Sequence, residues 1–351
     1  MNKLLHDQAA LYLFRTFSTI VILVFLISLL AALSLFVLFV YEPSPADGFN
    51  FSSAGTTIQL PDGRTLAYLE TGDPEGRPVL YFHGSPGSRL EGLFFDQLNK
   101  QLGVRLIAID RPGYGLSDFQ QNRTYLNWAG DVSEMADQLG IDRFAVLGWS
   151  SGGPYATVVA HEFPERVTIA AVVAGEGPYA SSDYPKSVMN SATFSGSDAN
   201  KLFIRCTTNC RWLMQAIFRM VRIQRFGNPV SPADFGTDID QSAKDMQFFT
   251  RDFRREYGAN QMEAFRQGSG GIMRDVILER LDWPFMPEEI HAPAVLVFYG
   301  EEDRILHPEI GRYLCWRIPS CKEPTIYAGE GHSVIYYRYE EILEEMLRAW
   351  R

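Results

Sequence analysis

The sequence predicts an α/β fold built on a mostly parallel central sheet with flanking helices. Three observations carry that prediction. From Thr56 onward, short apolar segments rich in β-branched residues alternate with amphipathic stretches of helical period, the pattern of strands buried on both faces beneath covering helices. A serine between glycines stands where one such strand gives way to a helix. The alternation stops between about residues 177 and 290 and then resumes, as it does when a helical segment is inserted into one α/β domain.

Taken in order, Thr57–Leu60 and Arg64–Glu70 flank Pro61-Asp62-Gly63, residues that favour a tight turn and so predict a hairpin. Val79–Phe82, Arg105–Asp110, Phe144–Leu147 and Val167–Ala174 read as buried strands. Helical patterns lie between them at Leu90–Leu102, at Leu126–Leu139, and from Pro154 to about His161. Val295–Tyr299 and Thr325–Tyr327 are two further strands, with a last helix near Glu340–Trp350. The stretch from 177 to 290 is rich in Phe, Met and Arg and reads as a helical cap. Within it Arg211–Phe226 patterns as an amphipathic helix. Gly268-Ser269-Gly270-Gly271 reads either as a flexible joint or as a rigid turn between cap helices.

Ahead of the domain, no charge occurs from Thr16 to Tyr41. A helix of that length is roughly 39 Å long, enough to cross a hydrocarbon core of about 30 Å. It exceeds the apolar core of a cleaved signal peptide, although cleavage near Ala46 is the alternative. Residues 1–15 are then a cytoplasmic N-terminus, 16–41 a single-pass transmembrane anchor, 42–55 a linker and 56–351 the globular domain. Lys3 and Arg15 before the span, against Glu42 and Asp47 after it, place the N-terminus in the cytoplasm and the domain on the extracytoplasmic or lumenal side. Cys206, Cys210, Cys315 and Cys321 all follow the span, and their spacing leaves open two local disulfides or free thiols. Asn50 and Asn122 begin N-x-[ST] triplets.

The 351 residues carry a formal charge of −10, which argues against nucleic acid as the main partner. The apolar fraction of 46% excludes global disorder. The chemistry centres on Gly148-Trp149-Ser150-Ser151-Gly152-Gly153. A sharp strand-to-helix turn there would hold Ser150 proud of the sheet edge, with Gly148 and Gly152 where chain segments crowd. A nucleophilic serine needs a base and an orienting acid. His332, in a loop after a short strand, is the candidate base, and Asp303, after Val295–Tyr299, the candidate acid, with Glu176 as the alternative acid. Neither cysteine pair has metal-ligand spacing, and no metal or organic cofactor is implied.

With those residues in place, residues 56–350 resemble the α/β-hydrolase fold superfamily, in the capped branch of prolyl aminopeptidases, esterases and cofactor-free haloperoxidases. The matching segments are His83-Gly84-Ser85-Pro86-Gly87-Ser88, Asp110-Arg111-Pro112-Gly113-Tyr114-Gly115-Leu116-Ser117, the serine turn, Gly300-x-x-Asp303 and Gly331-His332. The resemblance implies Ser150 as nucleophile, His332 as base and Asp303 as acid. It also implies an oxyanion hole of the Ser85 and Ser151 backbone N–H groups, with His83 and Gly84 supporting that loop; Asp110–Ser117 reads as a structural turn. The function expected is a membrane-anchored serine hydrolase cleaving an ester, thioester or amide, with a lipid-like acyl group suggested by the anchor and the Phe/Met-rich cap. The alternatives are a prolyl-aminopeptidase-like peptidase, cofactor-free oxidation on the same residues, and a non-catalytic binding protein of the same fold.

Overall fold

Proline, aspartate and glycine at positions 61–63 turn the chain back on itself, so that β1 (Thr56–Gln59) pairs antiparallel with β2 (Thr65–Gly72), Gln59 opposite Thr65. The computed structural model that establishes this describes residues 24–32, 34, 52–179, 181, 184, 242–248, 251–279 and 281–350. Six more strands follow: β3 (Arg77–Phe82), β4 (Val104–Ile109), β5 (Phe144–Trp149), β6 (Val167–Val173), β7 (Val295–Gly300) and β8 (Thr325–Tyr327). They form one eight-stranded sheet in the order β1-β2-β4-β3-β5-β6-β7-β8. Beyond the antiparallel pairings of β2 with β1 and β4, every neighbour is parallel. β5 and β6 are buried along their whole length, as expected of strands covered on both faces by crossover helices.

Among the described residues from 52 onward the α-helices are α1 (Asp96–Gln101), α2 (Tyr125–Gln138), α3 (Gly153–Glu162), α4 (Ala243–Phe248), α5 (Arg251–Ala264), α6 (Gly270–Leu278), α7 (Glu309–Arg317) and α8 (Val334–Ala349). Thr124 caps α2, accepting from the Asn127 amide at 3.2 Å while Asn127 reaches back to the Thr124 amide at 3.0 Å. The expected helix at Leu90–Leu102 is a 3₁₀ segment, Arg89–Phe95, running into α1. The last helix begins at Val334, a turn and a half before the amphipathic pattern is clean. Its first residues, Val334, Ile335 and Tyr336, are buried, so they show no polar face by which to recognise a helix.

Of the expected cap, α4, α5 and α6 lie among the described residues, and they meet the core through buried polar groups. Glu263 of α5 accepts from Arg89 at 2.7 Å. Asn260 of α5 accepts from the Ser88 amide and hydroxyl at 2.9 and 2.7 Å. Asp275 of α6 accepts from Arg111 Nε at 2.8 Å and pairs with Arg123. Close packing accounts for the glycine at 271, in the first turn of α6: a Cβ there would stand 2.6 Å from the carbonyl oxygen of Gly113 and 2.8 Å from the Tyr114 ring. Gly271→Ala is therefore expected to destabilise the fold by about 1–3 kcal/mol, the usual cost of overpacking, seen as a lower urea midpoint at unchanged m-value.

Residues 24–32 are helical, with Val24, Phe25, Ile27 and Leu30 exposed. Among the described residues no helix is long and apolar enough to cross a membrane. The remainder of the expected span 16–41, residues 42–51 with Asn50, Cys206, Cys210 and Arg211–Phe226 lie outside the described residues. Cys315 and Cys321 are joined as a disulfide at a Cα–Cα distance of 4.7 Å, which settles one of the two pairs left open by spacing. Asn122 is exposed in a turn with φ of 58°.

Candidate active site

In a parallel sheet the loops at the carboxyl ends of the strands gather on one edge. There β3 delivers His83–Ser88, β4 Asp110 and Arg111, β5 Ser150, β7 Asp303 and β8 the loop bearing His332. Ser150 follows β5 with φ of 55°, a left-handed conformation rare for a residue with a side chain. The packing around it accounts for the turn. A Cβ at Gly148 would collide with the carbonyl of Gly152, and one at Gly152 with the carbonyl of Phe82.

The turn aims the Ser150 hydroxyl at His332, with Oγ 3.0 Å from Nε2. His332 Nδ1 lies 2.9 Å from Asp303 Oδ2, and Asp303 Oδ1 accepts the amides of Ile305 and Leu306 at 2.9 and 2.8 Å. Asp303 is buried, so its orientation is held by these three bonds. Trp149 packs beside the imidazole at 5.6 Å between ring centroids and donates from its indole to the His332 carbonyl at 3.3 Å. Glu176, the alternative acid, lies beyond β6 and donates its amide to the Ser150 carbonyl at 3.3 Å. The carboxylate bonded to His332 is that of Asp303.

Cap helix α4 also holds the histidine loop. Asp245 accepts from the Ser333 amide at 3.1 Å and from the Tyr337 hydroxyl at 2.8 Å, and Lys244 pairs with Glu330. No sequence pattern singles out Asp245, because its partners lie some ninety residues further along the chain.

Ser85 and Ser151 lie in two loops at this sheet edge, after β3 and after β5. Among the described residues the Ser85 N–H has no hydrogen-bond partner. His83 is fully buried; burial, and then the nearby Arg111 charge, push its imidazole well below the ordinary range, so it is neutral. Its Nε2 accepts from the Arg111 amide at 3.3 Å, so Nδ1 carries the hydrogen and donates to the Gly84 carbonyl at 2.7 Å. Arg111 is buried as well. The turn expected at Asp110–Ser117 lies near the site, and this residue belongs to it. Asp110 does brace the turn, accepting from Arg89 and the Leu116 amide, but the Arg111 side chain reaches the site loops.

Beneath the same loop Glu91 is buried, and desolvation pushes its carboxyl up to about 7. Donation from Tyr81 at 2.8 Å and from Asn260 at 3.1 Å opposes that only in part. A carboxyl raised on folding contributes stability that is complete below its unfolded value near 4.5 and lost as pH climbs through about 7. Wild type is thus expected to lose stability relative to Glu91→Gln between pH 5 and 8, measured by urea unfolding across that range; parallel profiles would contradict it.

Comparison with known proteins follows from this arrangement. Residues 79–345 match the Alpha/beta hydrolase family. The chain belongs to that family. An uncharacterised hydrolase of Bacillus subtilis is 34% identical over 106 residues, 30% of this chain and 36% of the relative. A proline iminopeptidase of Neisseria gonorrhoeae is 28% identical over 113 residues, 31% of this chain and again 36% of the relative. The match thus spans about a third of the length of these two proteins. A 2-hydroxy-6-oxononadienedioate/2-hydroxy-6-oxononatrienedioate hydrolase of Paraburkholderia phymatum is 25% identical over 292 residues, covering 81% of this chain and 88% of the relative. Among solved structures, an alpha/beta hydrolase fold protein of Nakamurella multipartita superposes with a TM-score of 0.57 at 23% identity, over 84% of this chain and 99% of the other. An esterase of Exiguobacterium antarcticum gives the same TM-score at 19% identity, over 84% and 98%. Both show a common fold.

Proposed function

We propose that the protein is a membrane-anchored serine hydrolase that cleaves an ester, thioester or amide of an apolar acyl group through an acyl-enzyme on Ser150. The observation that carries this reading is the run of hydrogen bonds from Ser150 Oγ through His332 to Asp303, 3.0 and 2.9 Å long, starting at a serine with φ of 55°. Membership of a hydrolase family supports it.

In this mechanism Ser150 Oγ attacks the acyl carbon while His332 Nε2 takes its proton. Asp303 stabilises the imidazolium through Nδ1–H. The charge developing on the carbonyl oxygen is received by the Ser85 and Ser151 N–H groups, and removal of one such donor costs about 3–4 kcal/mol in other enzymes. The bond to the leaving group then breaks, and the leaving group takes the proton from His332. Water, deprotonated by the same nitrogen, attacks the acyl carbon; the bond from that carbon to Ser150 Oγ breaks, Oγ takes the proton back from His332, and the carboxylic acid leaves.

The anchor at 16–41 and its orientation, N-terminus in the cytoplasm and residues 42–351 on the extracytoplasmic or lumenal side, belong to the same proposal. They rest on the uncharged run of the sequence and on the placement of Lys3 and Arg15. A second reading, a prolyl-aminopeptidase-like peptidase, is favoured by the local similarity to a proline iminopeptidase.

The deciding experiment labels the full-length protein in detergent with a fluorophosphonate and maps the adduct by mass spectrometry. An adduct on Ser150 supports an activated serine. Esters of increasing acyl length against a proline anilide then separate the two enzymatic readings. A folded protein that takes no label would favour the non-catalytic binding protein.

A further inference from the structure

The Arg111 side chain touches both loops that carry the oxyanion donors, and the cap holds it there. Its Nη2 donates to the Gly84 carbonyl at 3.2 Å and to Ser151 Oγ at 3.2 Å, and its Nη1 donates to the His83 carbonyl. Nε donates to Asp275 Oδ2 on α6 at 2.8 Å. The guanidinium is sandwiched by Tyr114 and Tyr155, 5.0 and 4.8 Å from their ring centroids. Both tyrosine hydroxyls donate to Asp275 at 2.7 Å. Burial alone would raise the Asp275 carboxyl, but Arg123 and Arg111, with the two hydroxyls, outweigh it and hold the group below the ordinary carboxylate range. Asp275 therefore stays an anion that keeps both arginines in place.

The Gly84–Ser85 peptide bond is trans, so its C=O and N–H point in opposite directions. Arg111 and His83 pin the Gly84 carbonyl from one side, which leaves the Ser85 N–H of the same rigid plane directed away from them. The bond to Ser151 Oγ restrains the residue that supplies the second donor. We propose that Arg111, anchored by Asp275 of the cap, is the positioning residue of the oxyanion site, so that the cap orients the Ser85 and Ser151 amides. This inference rests on the hydrolase reading above and adds to it a task for the cap: completing the machinery as well as covering it.

The test uses the full-length protein in detergent, wild type against Asp275→Asn and Arg111→Lys, with Ser150→Ala as the blank. Each is assayed on a 4-nitrophenyl ester and on the matching thionoester, whose sulfur draws much less on hydrogen-bond donors. Both variants are expected to lower kcat on the ester about 10–100-fold, short of the loss from deleting a donor outright, with KM nearly unchanged. The ester-to-thionoester rate ratio is expected to fall at least about tenfold, since only the ester uses the donors fully. That ratio is internal to the active molecules, so partial misfolding does not alter it. A ratio equal to wild type in both variants, with both substrates slowed alike, overturns the positioning role and leaves the hydrolase reading standing. A wild type that turns over neither substrate overturns both.

Discussion

Ser150→Ala is expected to lower ester hydrolysis on the order of 10⁶-fold, and His332→Ala by a similar factor, because nucleophile and base act as one unit and losing either costs nearly as much as losing both. Asp303→Asn is expected to cost about 10⁴-fold, by presenting His332 with the wrong hydrogen-bonding partner at Nδ1. The structure gives physical grounds for these losses. Ser150 Oγ is 3.0 Å from the imidazole, and Asp303 is fixed by two backbone amides as well as by the histidine. Single-turnover rates on a 4-nitrophenyl ester, with circular dichroism confirming the fold, measure them. A double variant at 150 and 332 that falls far below either single one would contradict the picture of one acting unit.

The largest effect on stability is expected at Arg89. Its side chain is fully buried and donates from Nη1 to both Asp110 and Glu263, each at 2.7 Å and each itself buried, while Nε and Nη2 bond the carbonyls of Ala54 and Ser52. Arg89→Met keeps much of the volume but leaves two carboxylates without their shared cation. Breaking a buried pair in this way costs about 3–5 kcal/mol, or a fall in Tm of roughly five to eight degrees for a domain of this size. The sign of its pH dependence follows. Burial already raises the Asp110 carboxyl, with Arg89 opposing; without the arginine it rises further. A raised carboxyl favours folding at pH below its unfolded value and loses that contribution as pH rises. The Tm deficit of the variant is therefore expected to narrow as pH falls toward 4 and widen toward 8. A deficit independent of pH would assign the loss to packing alone.

Much of the fold could be read along the chain because its determinants are local. Buried strands such as Phe144–Leu147 and Val167–Ala174 are apolar runs whatever they pair with, and Pro61-Asp62-Gly63 turns by its own backbone preferences. The boundaries that moved did so where burial erased the pattern: Val334–Tyr336 open α8 but are buried, and the helix expected at Leu90–Leu102 is half 3₁₀. Ser150, Asp303 and His332 were recognisable because each follows a strand in a glycine-rich loop, a context visible within ten residues. Glu176 has much the same context, after β6, which is why it stood as the alternative to Asp303. In the structure the carboxylate within hydrogen-bond distance of His332 is that of Asp303.

By itself, the order of residues determined the α/β class, the serine turn and the candidate residues Ser150, Asp303 and His332, because periodicity and turn chemistry act between near neighbours. Tertiary structure alone decided which polar groups meet. Arg111 finds Asp275 164 positions away, and Arg89 finds Glu263 174 positions away. An ion pair leaves no periodic trace in sequence, since a buried Asp or Arg is spelled like an exposed one. Only folding, which removes water from around these charges and so makes each partner obligatory, connects the cap to the loops that surround Ser150.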